Sequence, residues 1–97
     1  MTRRRHARIA ANVPVVIVGY DGERPAVARD VGIGGMFLLT EHPIPYGSEV
    51  VIMLEDSVCL PAIVRWSDAT GIGVQFALLG ATETRAVIGL IGRAAYG

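Results

Sequence analysis

The sequence has few of the residues that build disulfides or metal centres. It contains one cysteine, Cys59, and two histidines, His6 and His42, among 97 residues. A single thiol excludes an intramolecular disulfide and a thiolate metal cluster, and so few histidines argue against a zinc site. We therefore expect no metal and no cofactor. Cysteine usage of this kind fits a cytoplasmic setting.

Long hydrophobic runs are also missing. Apolar runs such as residues 15–18 are only a few residues long, whereas a membrane-spanning helix needs about 20. The apolar stretch after the basic start contains Pro14 and no small-x-small cleavage site follows it, which argues against a secretory or twin-arginine leader. We expect no membrane insertion. Because 52% of the residues are apolar, one compact domain is expected rather than disorder.

Lysine is absent, and every basic side chain is an arginine. Four arginines and no acid in the first ten residues give +4, and five arginines against nine acids give −4 in the remainder. The basic patch is short and has no interleaved aromatic residues, so we expect no DNA or RNA partner. A basic nucleic-acid-binding arm on an unrelated small barrel stays open as a minor alternative.

The motifs of common enzyme classes are absent too. The serines are scattered and the histidines lie near loops or termini, so no Ser-His-Asp arrangement is indicated. There is no phosphate-binding Gly-Lys-Ser/Thr sequence. Gly32-x-Gly34 resembles part of a dinucleotide fingerprint, but Phe37 stands at the third glycine position and no helix follows. We predict no catalytic residue and no enzymatic activity.

Short strands dominate the pattern after the basic start. Alternating and β-branched stretches between turn residues predict six strands, at 13–20, 24–30, 36–40, 49–54, 58–66 and 72–78. Apolar residues at helical spacing predict a helix at about 82–95, with Thr82 as its N-cap. This order predicts a mainly β fold, a small six-stranded antiparallel β-barrel with a C-terminal α-helix over one opening or face.

The predicted boundaries define one domain with a leader segment. Residues 1–11 form a basic, flexible lead, and residues 12–97 form the barrel and helix. In the fifth predicted strand, Leu60, Ala62, Val64 and Trp66 alternate along the chain and are predicted to share one face.

Two short motifs carry the functional signal. Arg4 and Arg8 stand four residues apart, and guanidinium groups pair with phosphate and stack on base faces. Asp30 begins a glycine-rich turn that ends at Gly35, and a carboxylate accepts hydrogen bonds from the donors of guanine. Together the motifs suit a phosphate-rich, purine-like ligand. A purely structural reading, with glycines at positive φ and Asp30 closing the turn, stays open beside it.

With both motifs and the strand pattern in place, the chain resembles the PilZ domain family. These are small six-stranded split barrels with a C-terminal helix, and most studied members are receptors for the bacterial second messenger cyclic di-GMP. The family pattern is Arg-x-x-x-Arg followed by Asp/Asn-x-Ser-x-x-Gly. Arg4 and Arg8 match the first motif, and Asp30 and Gly35 match the ends of the second. Residues 34–38, Trp66 and residues 71–76 also resemble the family's sequence.

The resemblance implies a set of ligand-binding residues. Arg4 and Arg8 would bind phosphates and guanine faces, Asp30 a guanine edge, and the glycines would let the backbone lie against the ligand. The sequence departs from the pattern at Gly32, which stands where the family has a serine that supports binding. The implied ligand-binding residues are Arg4, Arg8, Asp30, Gly32, Gly34 and Gly35, with Arg3 and Arg5 as auxiliaries.

Two functions follow from the resemblance. In the first, the chain binds cyclic di-GMP, the N-terminal lead closes onto the barrel, and the signal passes to an unidentified partner protein. In the second, Gly32 marks a degenerate domain that no longer binds the nucleotide and acts as a protein–protein interaction module. Motility, surface attachment and exopolysaccharide synthesis are the processes that the family suggests for either.

Overall fold

The computed structural model describes residues 8–96, which form six strands and one helix. The strands close an antiparallel barrel in the order β1-β2-β3-β6-β5-β4, with β4 pairing back to β1. The expected six-stranded barrel with a C-terminal helix is confirmed. The elements are β1 (Arg8–Gly19), β2 (Gly22–Gly32), β3 (Gly35–Leu39), β4 (Glu49–Met53), β5 (Cys59–Ser67), β6 (Gly71–Phe76) and α1 (Ala81–Tyr96).

The first strand begins earlier than the sequence predicts. β2 continues to Gly32 and so provides antiparallel partners for the start of β1, with Arg8 opposite Gly32 and Ile9 opposite Val31. Residues 8–11 therefore belong to the barrel and not to the basic lead. The rest of the expected lead, residues 1–7, lies outside the described residues.

The core fills the inside of the barrel with aliphatic side chains. Alternate residues of each strand point inward, and α1 packs against β1 and β2, adding Val87 and Leu90 to the same cluster. Removing this apolar surface from water is the main stabilising term of the fold. The buried cluster consists of Val15, Ile17, Ala26, Ala28, Val31, Met36, Leu38, Val50, Ile52, Leu54, Leu60, Ala62, Val64, Ile72, Val74, Val87 and Leu90.

The helix is capped by a glycine and not by Thr82, so that prediction was wrong. The carbonyl of Gly80 accepts the backbone N–H of Thr84 at 2.9 Å, which makes Gly80 the N-cap. The carboxylate of Glu83 reaches back and accepts the N–H of Gly80 at 2.8 Å. This is the acidic half of a capping box, and it satisfies a backbone donor that the helix leaves unpaired.

Strands β3 and β6 approach each other very closely at both ends of their ladder. A Cβ atom on Gly35 would lie 2.1 Å from the carbonyl oxygen of Val74, and one on Gly71 would lie 2.1 Å from that of Leu38. No side chain fits at either position without moving backbone. Within residues 8–96, positive φ angles fall at Gly22, Gly47 and Ser57, outside the β2–β3 turn. Gly35 is thus required by close approach and not by a positive φ.

We predict that Gly35→Ala destabilises the barrel by about 3 kcal/mol, because the added methyl group overlaps a backbone carbonyl that cannot move independently. Urea unfolding followed by circular dichroism measures the change. Gly92→Ala is the matched control. A Cβ there meets nothing within 4 Å, and the substitution is expected to stabilise α1 by up to about 1 kcal/mol. Equal urea midpoints for Gly35→Ala and the wild type would contradict the requirement for glycine at position 35.

Candidate functional site

Three shifts in strand register surround one region of the barrel's outer face. The pairing of β1 with β2 shifts between Ala10 and Val13, that of β2 with β3 between Ala28 and Asp30, and that of β5 with β6 between Val64 and Trp66. In β2 and β5 the shift leaves one extra residue in the strand, a β-bulge that reverses the alternation of the side chains beyond it. These two bulges therefore decide which side chains leave the core and face outward.

The bulge in β2 places Asp30 on the outer face, opposite Phe37 of β3. One carboxylate oxygen of Asp30, Oδ1, accepts two hydrogen bonds. One comes from Nη1 of the Arg8 guanidinium at 3.0 Å and the other from the backbone N–H of Phe37 at 3.2 Å. The side chains of Arg8 and Asp30 keep 24% and 27% of their exposed surface. Within residues 8–96 no donor is bonded to the other carboxylate oxygen, Oδ2.

The bulge in β5 turns Trp66 out of the core. The prediction that it shares a face with Leu60, Ala62 and Val64 was wrong, because the extra residue at Arg65 reverses the alternation after Val64. Trp66 stands opposite Gly73 and is 49% exposed. Its ring lies against that of Phe37, with centroids 5.3 Å apart and planes tilted by 55°. This is a favourable geometry for two aromatic rings.

These side chains border a cleft of about 800 Å³ that crosses β1, β2, β3, β6 and β5. Four of its lining residues, Gly32, Gly34, Gly35 and Gly73, carry no side chain, and we call them the glycine floor of the cleft. Arg8 and Asp30 lie at the β1–β2 side of the cleft, and several aromatic and polar side chains lie towards β6 and β5. The lining residues are Arg8, Asp30, Gly32, Gly34, Gly35, Phe37, Arg65, Trp66, Gly73, Val74, Gln75 and Phe76.

The two sequence motifs meet at this cleft. Of the residues that the sequence implied, Arg8, Asp30, Gly32, Gly34 and Gly35 all line it. The remaining three, Arg3, Arg4 and Arg5, lie outside the described residues.

The aromatic and polar wall of the cleft, formed by Phe37, Arg65, Trp66 and Gln75, was not predicted as part of the site from the sequence. Phe37, Trp66 and Gln75 lie in segments that resemble the family's sequence, and Gly73 stands across the ladder from Trp66. A Cβ atom on Gly73 would lie 3.4 Å from the Cβ atom of Trp66, in van der Waals contact with it. A signal of this kind can be read only once the pairing of β5 with β6 is known.

The arrangement suits a planar, anionic ligand. A guanidinium group binds phosphate and stacks on bases, an open carboxylate oxygen accepts from base N–H groups, and exposed aromatic rings stack on base faces. Metal binding has no support here, since no group of three or more potential ligand side chains occurs within residues 8–96. In the same part of the chain, no helix has the length and apolar character to span a membrane.

The fold and the cleft define the class, a small closed β-barrel that carries a glycine-floored cleft on its outer face. Comparison with known proteins gives the family. The family model of the PilZ domain matches residues 2–93, and the chain belongs to the PilZ domain family. A comparison with curated protein sequences gave no match.

Solved structures confirm the fold. The chain is similar to the PilZ domain of CeSA from a cellulose-synthesizing bacterium, at 22% identity and a TM-score of 0.75, covering 93% of this chain and 99% of that one. It is similar to the PilZ domain of YcgR from Escherichia coli with c-di-GMP, at 18% identity and a TM-score of 0.75, covering 97% and 92%. The K. pneumonia MrkH–c-di-GMP complex matches at 19% identity and a TM-score of 0.70, covering 92% of this chain but 51% of MrkH.

We predict that Asp30→Ala lowers the free energy of unfolding by about 1–2 kcal/mol. The substitution removes a partly exposed ion pair worth about 0.2–1 kcal/mol and a hydrogen bond worth about 0.5–1.5 kcal/mol. Asp21→Ala is the matched control, because Asp21 also binds an arginine at 3.0 Å, Arg24, but accepts no backbone N–H.

Urea unfolding of the two variants measures the difference. The free energy of unfolding of Asp30→Ala should be lower than that of Asp21→Ala by roughly the contribution of one hydrogen bond. If both variants lose the same free energy, the bond from Phe37 to Asp30 does not hold the β2 bulge in place.

Proposed function

We propose that this PilZ domain is a receptor for cyclic di-GMP. The observation that carries the proposal is the convergence of Arg8 and Asp30 beside a glycine floor in one cleft. The solved complexes of YcgR and MrkH with c-di-GMP support it, since both contain the same fold. The ligand carries phosphates and guanine bases, and the cleft offers a partner for each.

Arg8 and Asp30 would take the charged and polar parts of the ligand. The guanidinium of Arg8 pairs with phosphate or stacks on a base, and Asp30 accepts guanine N–H groups at Oδ2. Because Oδ1 is already bonded to Arg8 and Phe37, the carboxylate is oriented before the ligand arrives. Such preorganisation lowers the entropic cost of binding. Arg4 acts with Arg8 in this proposal, with Arg3 and Arg5 as auxiliaries.

The aromatic wall would stack on a base. Trp66 is half exposed and already rests against Phe37, so one ring face is supported from within the protein. Stacking of a base on an aromatic side chain contributes about 1–3 kcal/mol. Gly34 and Gly35 also line the cleft and place no side chain in it.

A second function is favoured by one specific residue. Gly32 lies on the outer face opposite Arg8, at the position where the family has a serine, and it offers no hydroxyl. A missing hydrogen bond costs about 0.5–1.5 kcal/mol when neutral and about 1.5–3 kcal/mol when charged, or roughly threefold to somewhat over a hundredfold in affinity. If the loss of affinity lies at the upper end of this range, the domain would act as a protein–protein interaction module without the nucleotide.

Both functions make the domain a signalling component of the cytoplasm and not an enzyme. In the first, ligand binding brings the N-terminal arginines onto the barrel, and the altered surface is read by a partner protein. In the second, the barrel surface binds the partner directly. Proteins of motility or surface attachment are the partner class that the family suggests.

We expect wild-type protein to bind cyclic di-GMP with a low-micromolar or tighter Kd by isothermal titration calorimetry. Arg8→Ala should abolish or severely weaken binding, because it removes a charged group from the cleft and the partner of Asp30. Arg85→Ala is the control. This exposed arginine lies on α1, none of whose residues line the cleft, and its loss changes net charge equally.

Two results would contradict the proposal that the domain is a receptor for cyclic di-GMP. One is the absence of heat with wild-type protein up to hundreds of micromolar ligand. The other is equal affinity in the Arg8 and Arg85 variants, which would mean that binding does not use this cleft.

We further expect Gly32→Ser to raise affinity by roughly threefold to a hundredfold, because a side chain at position 32 shares the outer face with Arg8. The same titration measures it, and circular dichroism checks that the barrel is intact. An unchanged Kd in a folded variant would show that position 32 does not limit binding. If neither protein binds, the interaction module is the better description.

A further inference from the structure

Arg65 is a cleft residue that neither motif contains. It is the extra residue of the β5 bulge, between Val64 and Trp66, and it is exposed on the side of the cleft that faces away from β1. Bulges are frequent beside binding sites because they re-aim side chains. A strand without this bulge would not present Arg65 and Trp66 side by side at the cleft.

The guanidinium group of Arg65 is held in place by a neutral partner. Its Nε–H donates to Oε1 of Gln75 at 3.0 Å. Gln75 pairs with Gly35, so this bond joins Arg65 to the edge of the glycine floor. A guanidinium group has five N–H donors, and Gln75 takes only the one on Nε. The forked terminal nitrogens keep their full capacity for an anion.

The charge of Arg65 is not neutralised within the described part of the chain. The ion pairs among residues 8–96 join Arg8 to Asp30 and Arg24 to Asp21. At the β1 side of the cleft a carboxylate therefore offsets the arginine, whereas at the β5 side an oriented guanidinium has an amide partner only. An oriented cation without a carboxylate partner attracts an anionic group more strongly than a paired one.

The two arginines line the cleft from different, non-adjacent strands. Arg8, Gly32, Gly35 and Gln75 form one row across β1, β2, β3 and β6. Arg65 lies on β5, the strand next to β6, and β5 is not adjacent to β1 in either direction around the closed barrel. A single phosphate fits one of these groups, while a ligand with two separated phosphates fits both.

We propose that Arg65, positioned by Gln75, is a second anion-binding residue of the cleft and selects ligands with two separated phosphate groups over mononucleotides. The identity of the ligand rests on the proposed function, but the anion-binding role of Arg65 does not. The selectivity arises because a mononucleotide can occupy only one end of the cleft at a time.

Calorimetry with cyclic di-GMP and with GMP tests the selectivity in the full chain. Arg65→Ala is expected to lower the affinity for cyclic di-GMP roughly 10- to 150-fold, which is the effect of losing one charge-assisted contact. The affinity for GMP should stay within about threefold of wild type. Arg85→Ala, which removes the same charge from α1, should change neither. Equal affinity of wild type and Arg65→Ala for cyclic di-GMP would overturn the proposal.

Gln75→Glu provides a second variant that preserves shape. A carboxylate in place of the amide would pair with Arg65 at the same 3.0 Å contact and neutralise it. The loss of cyclic di-GMP affinity should approach that of Arg65→Ala even though the arginine is retained. Affinity equal to wild type in Gln75→Glu would argue that the charge of Arg65 is not used.

Inorganic pyrophosphate separates this proposal from the proposed function. In an NMR titration, the Nε–Hε signal of Arg65, assigned from its absence in Arg65→Ala, should shift with pyrophosphate in wild type and shift little in Gln75→Glu. If cyclic di-GMP fails to bind but this signal shifts, the receptor function fails and the anion site stands. If pyrophosphate leaves the signal unmoved, the anion site is overturned.

Discussion

The close approach of β3 and β6 is the constraint on which the rest of the structure depends. At each end of this ladder, the carbonyl oxygen of one strand occupies the place where a Cβ atom of the other would be, at Gly35 and at Gly71. Side chains are excluded there because interstrand packing is too tight for them. Gly35 lies in the lining of the cleft, together with Asp30 and Phe37. The packing that closes the barrel therefore also requires a glycine at this point of the cleft.

The bulges bring polar and aromatic side chains to the cleft. Without the extra residue in β5, Trp66 would continue the inward row of Leu60, Ala62 and Val64. Without the one in β2, Asp30 would not stand opposite Phe37 and receive its N–H. Each bulge gives up a regular ladder pair and exposes polar or aromatic groups that could otherwise be packed. The irregularities lie around one cleft, as expected if binding and not stability determines them.

The sequence predicted the order of the six strands, the helix and five of the cleft residues, because alternation, helical spacing and the two motifs are local patterns. It could not predict the facing of Trp66, since a bulge depends on the register of β6 with β5. The start of β1 at Arg8 likewise depends on how far β2 extends. Thr82 was chosen as N-cap on residue type, whereas the contact between Glu83 and Gly80 decides the matter. The two strand errors share a cause, which is pairing with a strand distant in sequence, whereas the N-cap error concerns a contact three residues apart.

The departure at Gly32 has to be weighed against the whole cleft and not against its motif alone. The absent hydroxyl is worth at most one charged hydrogen bond, about 1.5–3 kcal/mol. A base stacked on Trp66 contributes a similar amount, about 1–3 kcal/mol, and that residue lies outside both motifs. Asp30 is already oriented by two bonds, so in the proposed complex it would bind the ligand at little further ordering cost. A single missing serine therefore does not by itself decide between a receptor and a silent domain.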